Sequence, residues 1–230
     1  MYYFDQELAK NDLNNFFSVN GASIRSFGST VNQTFEAYVF ASCINWYKNS
    51  GWKVDIINPK EGRYKNQFQL KFNTRGAPAN YSYARCIKNN EVKQIHHGLR
   101  VNTKCSNYEV DHFSANICLD IAIIKGTDIT EYKTDIAIPN EQLLSFGEAK
   151  HMSAFAELIA GFIGMVHEMI PRALDSSEKF DDDINPFLYV SGKLYTTARG
   201  IYETIKNRGY KIEIYSFDNK IVDNKSYSKN

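Results

Sequence analysis

The chain has 230 residues, 43% of them hydrophobic and 23% charged, and a formal net charge of +1. That length supports one substantial core, and that composition excludes disordered, fibrous and disulfide-scaffold classes. Its most apolar helical stretch, near 154–170, contains Glu157, His167 and Glu168 and is too short and interrupted to span a bilayer.

In chain order, Leu8, Leu13, Phe16 and Phe17 predict a helix over 5–17, followed by a Gly/Ser turn through Gly28 and Ser29. Thr30 is placed to cap a second helix running to Asn49 and ended by Ser50-Gly51. A strand is expected over 52–57, stopping at Asn58-Pro59. Strands at 68–72, from Tyr81 to Ile87 and over 92–101 follow, the last two joined by a turn at Asn89-Asn90. Two apolar strands, 117–125 and 143–150, flank a polar connection. A helix at 153–170 ends at Pro171, Asp181-Asp-Asp183 reads as a solvated loop, and 187–190 is a strand. A helix at 193–207 and a strand at 211–217 complete the order, and 219–230 is expected to be a disordered tail. The result is one α/β domain over 1–230, with a mixed central sheet flanked by helices.

Charge is unevenly distributed. Ten basic residues lie between Lys60 and Lys104 against two acids, Glu61 and Glu91, a local charge of +8. This strand-rich stretch, 60–104, reads as a basic insertion. Lys65, Lys71, Arg75, Arg85 and Arg100 are its candidate phosphate-binding residues, with aromatics interleaved for stacking. Phe68 and Phe72 fit a buried face better than a stacking platform. Four widely spaced cysteines, Cys43, Cys86, Cys105 and Cys118, and a start without a basic-then-apolar signal predict a reduced, cytoplasmic protein.

Chemistry concentrates where acids interrupt apolar strands. Asp120 lies within Cys118-Leu-Asp-Ile-Ala-Ile123, and Glu148 and Lys150 end the strand Leu143–Lys150. Residues two apart in a strand point the same way, about 7 Å apart. The pattern acid-x-Lys occurs five times in the chain, but only Glu148-Ala-Lys150 closes an apolar strand and leads into an amphipathic helix. Charges in such runs are costly to bury without a partner or metal. The bland alternative is a buried ion pair between Asp120 and Lys150. Glu36, near the start of the second helix, is either a further acid of the site or an exposed helix carboxylate. His151, beside Lys150, is placed to touch a substrate phosphate. Cys86, His96, His97, Cys105, His112 and Cys118 share no zinc-type spacing, so zinc is not favoured.

These residues in this order resemble the PD-(D/E)xK nuclease superfamily, with its restriction-endonuclease-like fold. Asp120 matches the acid of one core strand, Glu148 and Lys150 the Glu-x-Lys of the next, and Glu36 the acid of the first core helix. The resemblance covers about 31–57 and 117–217. The proline of the family name is replaced by Leu119, and no Gln-x-x-x-Tyr follows the lysine. It implies Mg²⁺, with Mn²⁺ able to substitute, held by Asp120, Glu148 and the Ala149 carbonyl. The implied substrate is DNA, with RNA as the alternative, in bacterial restriction or antiphage defence. A homodimer, or a partner protein of a defence complex, is the implied assembly. The second reading is a non-catalytic module that keeps the fold to bind nucleic acid or protein.

Overall fold

Thr30 opens the helix that organises one face of the molecule. In the computed structural model, which describes residues 4–19, 30–104, 115–133, 136–178 and 183–216, the Thr30 hydroxyl accepts the Gln33 amide at 3.3 Å and caps α2 (Val31–Asn49). Phe35, Val39, Phe40, Cys43, Ile44 and Tyr47 of α2 are fully enclosed. So broad a belt is buried because the sheet lies beneath α2 and α1 (Gln6–Val19) packs on it with Ala9, Leu13 and Phe17, spaced four apart.

Seven strands form one sheet in sequence order: β1 (Lys53–Ile57), β2 (Tyr83–Lys88), β3 (Glu91–Asn102), β4 (Asn116–Lys125), β5 (Leu143–Lys150), β6 (Phe187–Val190) and β7 (Glu213–Ser216). Pairing is antiparallel from β1 to β5 and parallel from β5 to β7. Parallel neighbours need crossovers, which α3 (Ala156–Met169) and α4 (Thr196–Asn207) supply while covering the second face. The α/β class and the mixed, helix-flanked sheet are as expected. Among the described residues no helix is long and apolar enough to cross a membrane.

Three expectations change. Residues 60–104 are not a separate insertion, because β2 and β3 join β1 to β4 within the one sheet. Asn89 and Asn90, at φ 49° and 67°, make the tight turn between them. The 68–72 stretch is an extended arm outside the named strands. Phe68 and Leu70 are buried, and the Phe68 ring lies 4.1 Å from that of Phe17. Thirdly, Asp183 is not solvated: its carboxylate binds Lys93 Nζ at 2.8 Å and the Tyr47 hydroxyl at 2.9 Å. The turn at Gly28-Ser29, Asp181, Asp182, Phe217 and the 219–230 tail lie outside the described residues.

Gly98 does what no other residue type can do at its position. Its φ of 65° reverses the side-chain alternation of β3: Ile95 packs on the α2 side, whereas Leu99 and Val101 pack on the α3 side. A Cβ there would overlap the Lys71 carbonyl oxygen, backbone that cannot swing away. Gly98→Ala is therefore expected to destabilise the protein by roughly 3 kcal/mol, from left-handed strain plus displacement of the arm. Urea denaturation checks this, and a loss under about 0.5 kcal/mol contradicts it.

Candidate active site

The candidate site forms where the sheet opens. β4 and β5 pair as far as Ile121 and Gly147. One residue further on, side chains replace the ladder: the Asp120 amide donates to Glu148 Oε1 at 3.4 Å, and the Ala149 amide donates to Asp120 Oδ2 at 3.0 Å. Into this fork Lys150 places Nζ 2.8 Å from Asp120 Oδ2 and 2.7 Å from Glu148 Oε2. The Glu148 side chain is 8% exposed and that of Lys150 37%, so the acid sits at the base and the lysine reaches solvent. A shallow cleft of about 190 Å³, lined from α3 by Glu157, Leu158, Gly161, Phe162 and Met165, opens on Glu148 and Lys150.

One ammonium serves two carboxylates. Burial first, and then the Asp120 charge, push the Glu148 carboxyl up to about 8 against the pull of Lys150. Burial acts to lower the Lys150 pKa, but the charges of Glu148 and Asp120 and its hydrogen bonds to both outweigh it and push it up. Lys150 is therefore an ammonium donor in this arrangement, not a base. A structural ion pair needs one acid. The second is held protonated by burial and the Asp120 charge, and a divalent cation that displaced its proton would offset that cost.

The donor set suits a hard cation. Among the described residues no group of three or more His, Cys, Asp and Glu side chains gathers as a cage. Mg²⁺, however, takes one or two carboxylates and fills its remaining positions with water and substrate phosphate. Two carboxylates at a fork open on one side, with the Ala149 backbone beside them, fit that demand.

The other expected residues are distributed differently. Glu36 meets His97 rather than Lys150: its Oε2 lies 3.2 Å from His97 Nε2. The distance is that of an ion pair, although the angle makes no hydrogen bond and leaves Nε2 buried without one. His97 Nδ1 donates to the Lys71 carbonyl at 2.8 Å. His151 Nδ1 is 2.8 Å from the Ser191 hydroxyl, and its ring packs edge-on to Phe4. Lys65, Arg75 and Arg85 are exposed, Arg100 donates from Nη2 to the Thr74 carbonyl at 3.2 Å, and Lys71 is buried. Of the residues weighed for zinc, His96 and His97 point to opposite faces of β3, and Cys105 and His112 lie outside the described residues.

His96 carries a pH consequence. It stacks on Tyr83, centroids 4.8 Å apart, and donates from Nε2 to Gln94 Oε1 at 3.0 Å, the Gln94 amide nitrogen being committed to the Thr127 carbonyl. Burial, helped by the Lys71 charge, holds its pKa down to about 3, against 6.5 for a free imidazole. Between those values the unfolded chain binds the extra proton. Stability is thus complete above pH 6.5 and falls by about 1.4 kcal/mol per pH unit as the pH drops toward 3. His96→Gln should flatten this slope in urea denaturations run at several acidic pH values, and an unchanged slope contradicts it.

One residue of the cleft, Glu157, was not singled out from the sequence. Glu157 was noted only as an interruption of an apolar helix, although the short link from β5 to α3 signals that a first-turn acid faces the strand end. Lys71, expected as a phosphate-binding residue, is largely buried, and only its place between the apolar Leu70 and Phe72 hinted at that. No family model, curated relative or solved structure matches the chain.

Proposed function

We propose that the fork is the centre of a metal-dependent phosphodiester hydrolase acting on DNA. The observation that carries it is the pair of acids, Asp120 and Glu148, sharing one ammonium where the ladder between β4 and β5 is broken. A strand bearing one acid beside a strand ending in Glu-x-Lys also supports a restriction-endonuclease-like fold and a role in restriction or antiphage defence. In this reading Asp120, Glu148 and the Ala149 carbonyl hold Mg²⁺, or Mn²⁺ in its place. Such an ion lowers the pKa of a bound water and neutralises charge on the phosphate oxygens. The Lys150 ammonium, freed from its two carboxylates, orients the attacking water and donates to the oxygen that gains charge. Exposed Lys65, Arg75 and Arg85 draw in the polyanion from solution.

The test uses supercoiled plasmid, linear DNA and RNA, each with and without Mg²⁺. Magnesium-dependent cleavage of DNA is expected, and a preference for RNA reassigns the substrate. No turnover of any polymer in Mg²⁺ or Mn²⁺ makes the fork an ion pair in a binding module and overturns the proposal.

A further inference from the structure

Three of the six large hydrophobic side chains exposed among the described residues, Met152, Phe155 and Tyr195, lie in two short loops beside the fork. The loops match each other. Residues 151–155 lead from β5 into α3, and 191–195 lead from β6 into α4. Backbone hydrogen bonds join them: the Gly192 amide donates to the Met152 carbonyl at 3.1 Å, Ala154 to Lys193 at 2.8 Å and Tyr195 to Ala154 at 3.0 Å. Ala154 thereby pairs with Leu194 in parallel register, and both side chains are buried. Phe155 and Tyr195 come next in the same register with extended backbone, so both side chains leave on the side away from the core. They are 38% and 49% exposed, and they rise from neighbouring backbones about 4.8 Å apart. The exposed Lys193 holds its ammonium 5.5 Å from the centre of the Tyr195 ring.

This aromatic pair borders the fork. The Lys150 carbonyl accepts the Met152 amide at 2.8 Å and the Ser191 amide at 3.1 Å, so both loops begin at the lysine of the site. Glu157, two residues after Phe155, lines the cleft that opens on Glu148 and Lys150. Local stability does not account for the two rings. Both stand at the N-cap positions of their helices, where Ser, Thr, Asp or Asn would stabilise the first turn and an aromatic does not. Two exposed rings with a cation beside them match a strand of unpaired bases, whose faces stack on rings while its phosphates meet the ammonium. An intact duplex hides those faces in its own stack.

We propose that Phe155 and Tyr195 form a stacking platform for two unpaired bases next to the scissile phosphate, with Lys193 on a neighbouring phosphate. This rests on the phosphodiester reading of the fork and names its substrate class: DNA that is single-stranded, or locally unpaired, at the cut.

The experiment follows anisotropy of three end-labelled DNAs in EDTA: a single strand, the same strand with abasic sites in place of its bases, and a blunt duplex. Cleavage of the same three is measured in Mg²⁺. Wild type should favour the base-bearing single strand by about tenfold or more. Tyr195→Leu and Phe155→Leu keep apolar bulk but lose the flat face. Each should weaken binding of that strand by about tenfold, leave the abasic strand within about twofold, and melt as wild type does. Tyr195→Trp should retain the binding, and Lys193→Met should flatten the salt slope by about 0.7. Wild type that shows no preference for the base-bearing strand in either measurement overturns the platform and leaves the hydrolase standing. Leucine variants that bind that strand within about twofold of wild type also overturn it. If those variants pass from dimer to monomer in sedimentation, the patch is a contact between copies of the chain instead. Wild type that neither binds nor cleaves any polymer overturns the hydrolase, and the platform with it.

Discussion

Glu148→Gln and Asp120→Asn should each lower Mg²⁺-dependent cleavage by roughly a thousandfold or more, because in the proposed mechanism each removes an oxygen that would hold the metal and its share of transition-state stabilisation. The stability readout separates this from a structural account. With its carboxyl pushed up to about 8, Glu148 is largely protonated at neutral pH, so glutamine replaces a group that is already mostly uncharged. Glu148→Gln should therefore fold as well as wild type, within about 0.5 kcal/mol. Lys150→Met differs, since it leaves the Asp120 carboxylate without its cation and Glu148 without its hydrogen-bond donor. It should lose cleavage and also roughly 2 kcal/mol of stability, less than a fully buried pair would cost because Lys150 is 37% exposed. The same carboxyl sets a pH dependence. Mg²⁺ competes with the Glu148 proton below pH about 8, so the Mg²⁺ needed for half-maximal cleavage should rise about tenfold per pH unit of acidification and level off above that value. Cleavage that survives Lys150→Met, or Mg²⁺ demand independent of pH, contradicts the mechanism.

How far the site was legible depended on the range over which each residue acts. Asp120, Glu148 and Lys150 stood out because a charge inside an apolar strand is costly, and that cost is visible in a few neighbouring residues. The helices and the Asn89-Asn90 turn were legible for the same reason, as caps and turn residues act locally. Glu36 was not, because its partner His97 is brought to it only when α2 lies across β3. Composition misled over 60–104. Its excess of basic residues suggested a separate binding element, yet Lys93 is spent inside the core, Lys71 is buried, and Lys88 donates to the Ser50 carbonyl at 3.2 Å. Gly98 hid the most. A periodic pattern assumes that alternation persists, and one left-handed residue reverses it, moving Leu99 and Val101 to the α3 side of the sheet.

Asp183→Ala should be the most destabilising change outside the fork. The Lys93 side chain is 2% exposed and Tyr47 is fully buried, and both bind the same Asp183 oxygen, at 2.8 Å and 2.9 Å. Burial, reinforced by the Asp183 charge, holds the Tyr47 hydroxyl well above its ordinary pKa, so it remains a donor that needs an acceptor. The Lys93 ammonium also lies 4.7 Å from the centre of the Trp52 ring, and Glu91 is 3.3 Å away, but that carboxylate is 54% exposed and a weak substitute. Alanine at 183 removes at once the acceptor shared by a buried ammonium and a buried hydroxyl, at a cost of about 3–5 kcal/mol. For a chain of this length that lowers the melting temperature by roughly 10 °C. Asp183→Asn keeps an acceptor for Tyr47 and should lose less. The pair Lys93→Met with Asp183→Leu, which removes both charges, should recover most of the loss. The damage should stay local to folding: Lys93 pairs with Lys125, five residues or about 17 Å along β4 from Asp120. Specific activity of the folded fraction is thus expected to match wild type, and a stability change under about 1 kcal/mol in Asp183→Ala contradicts the buried anchor.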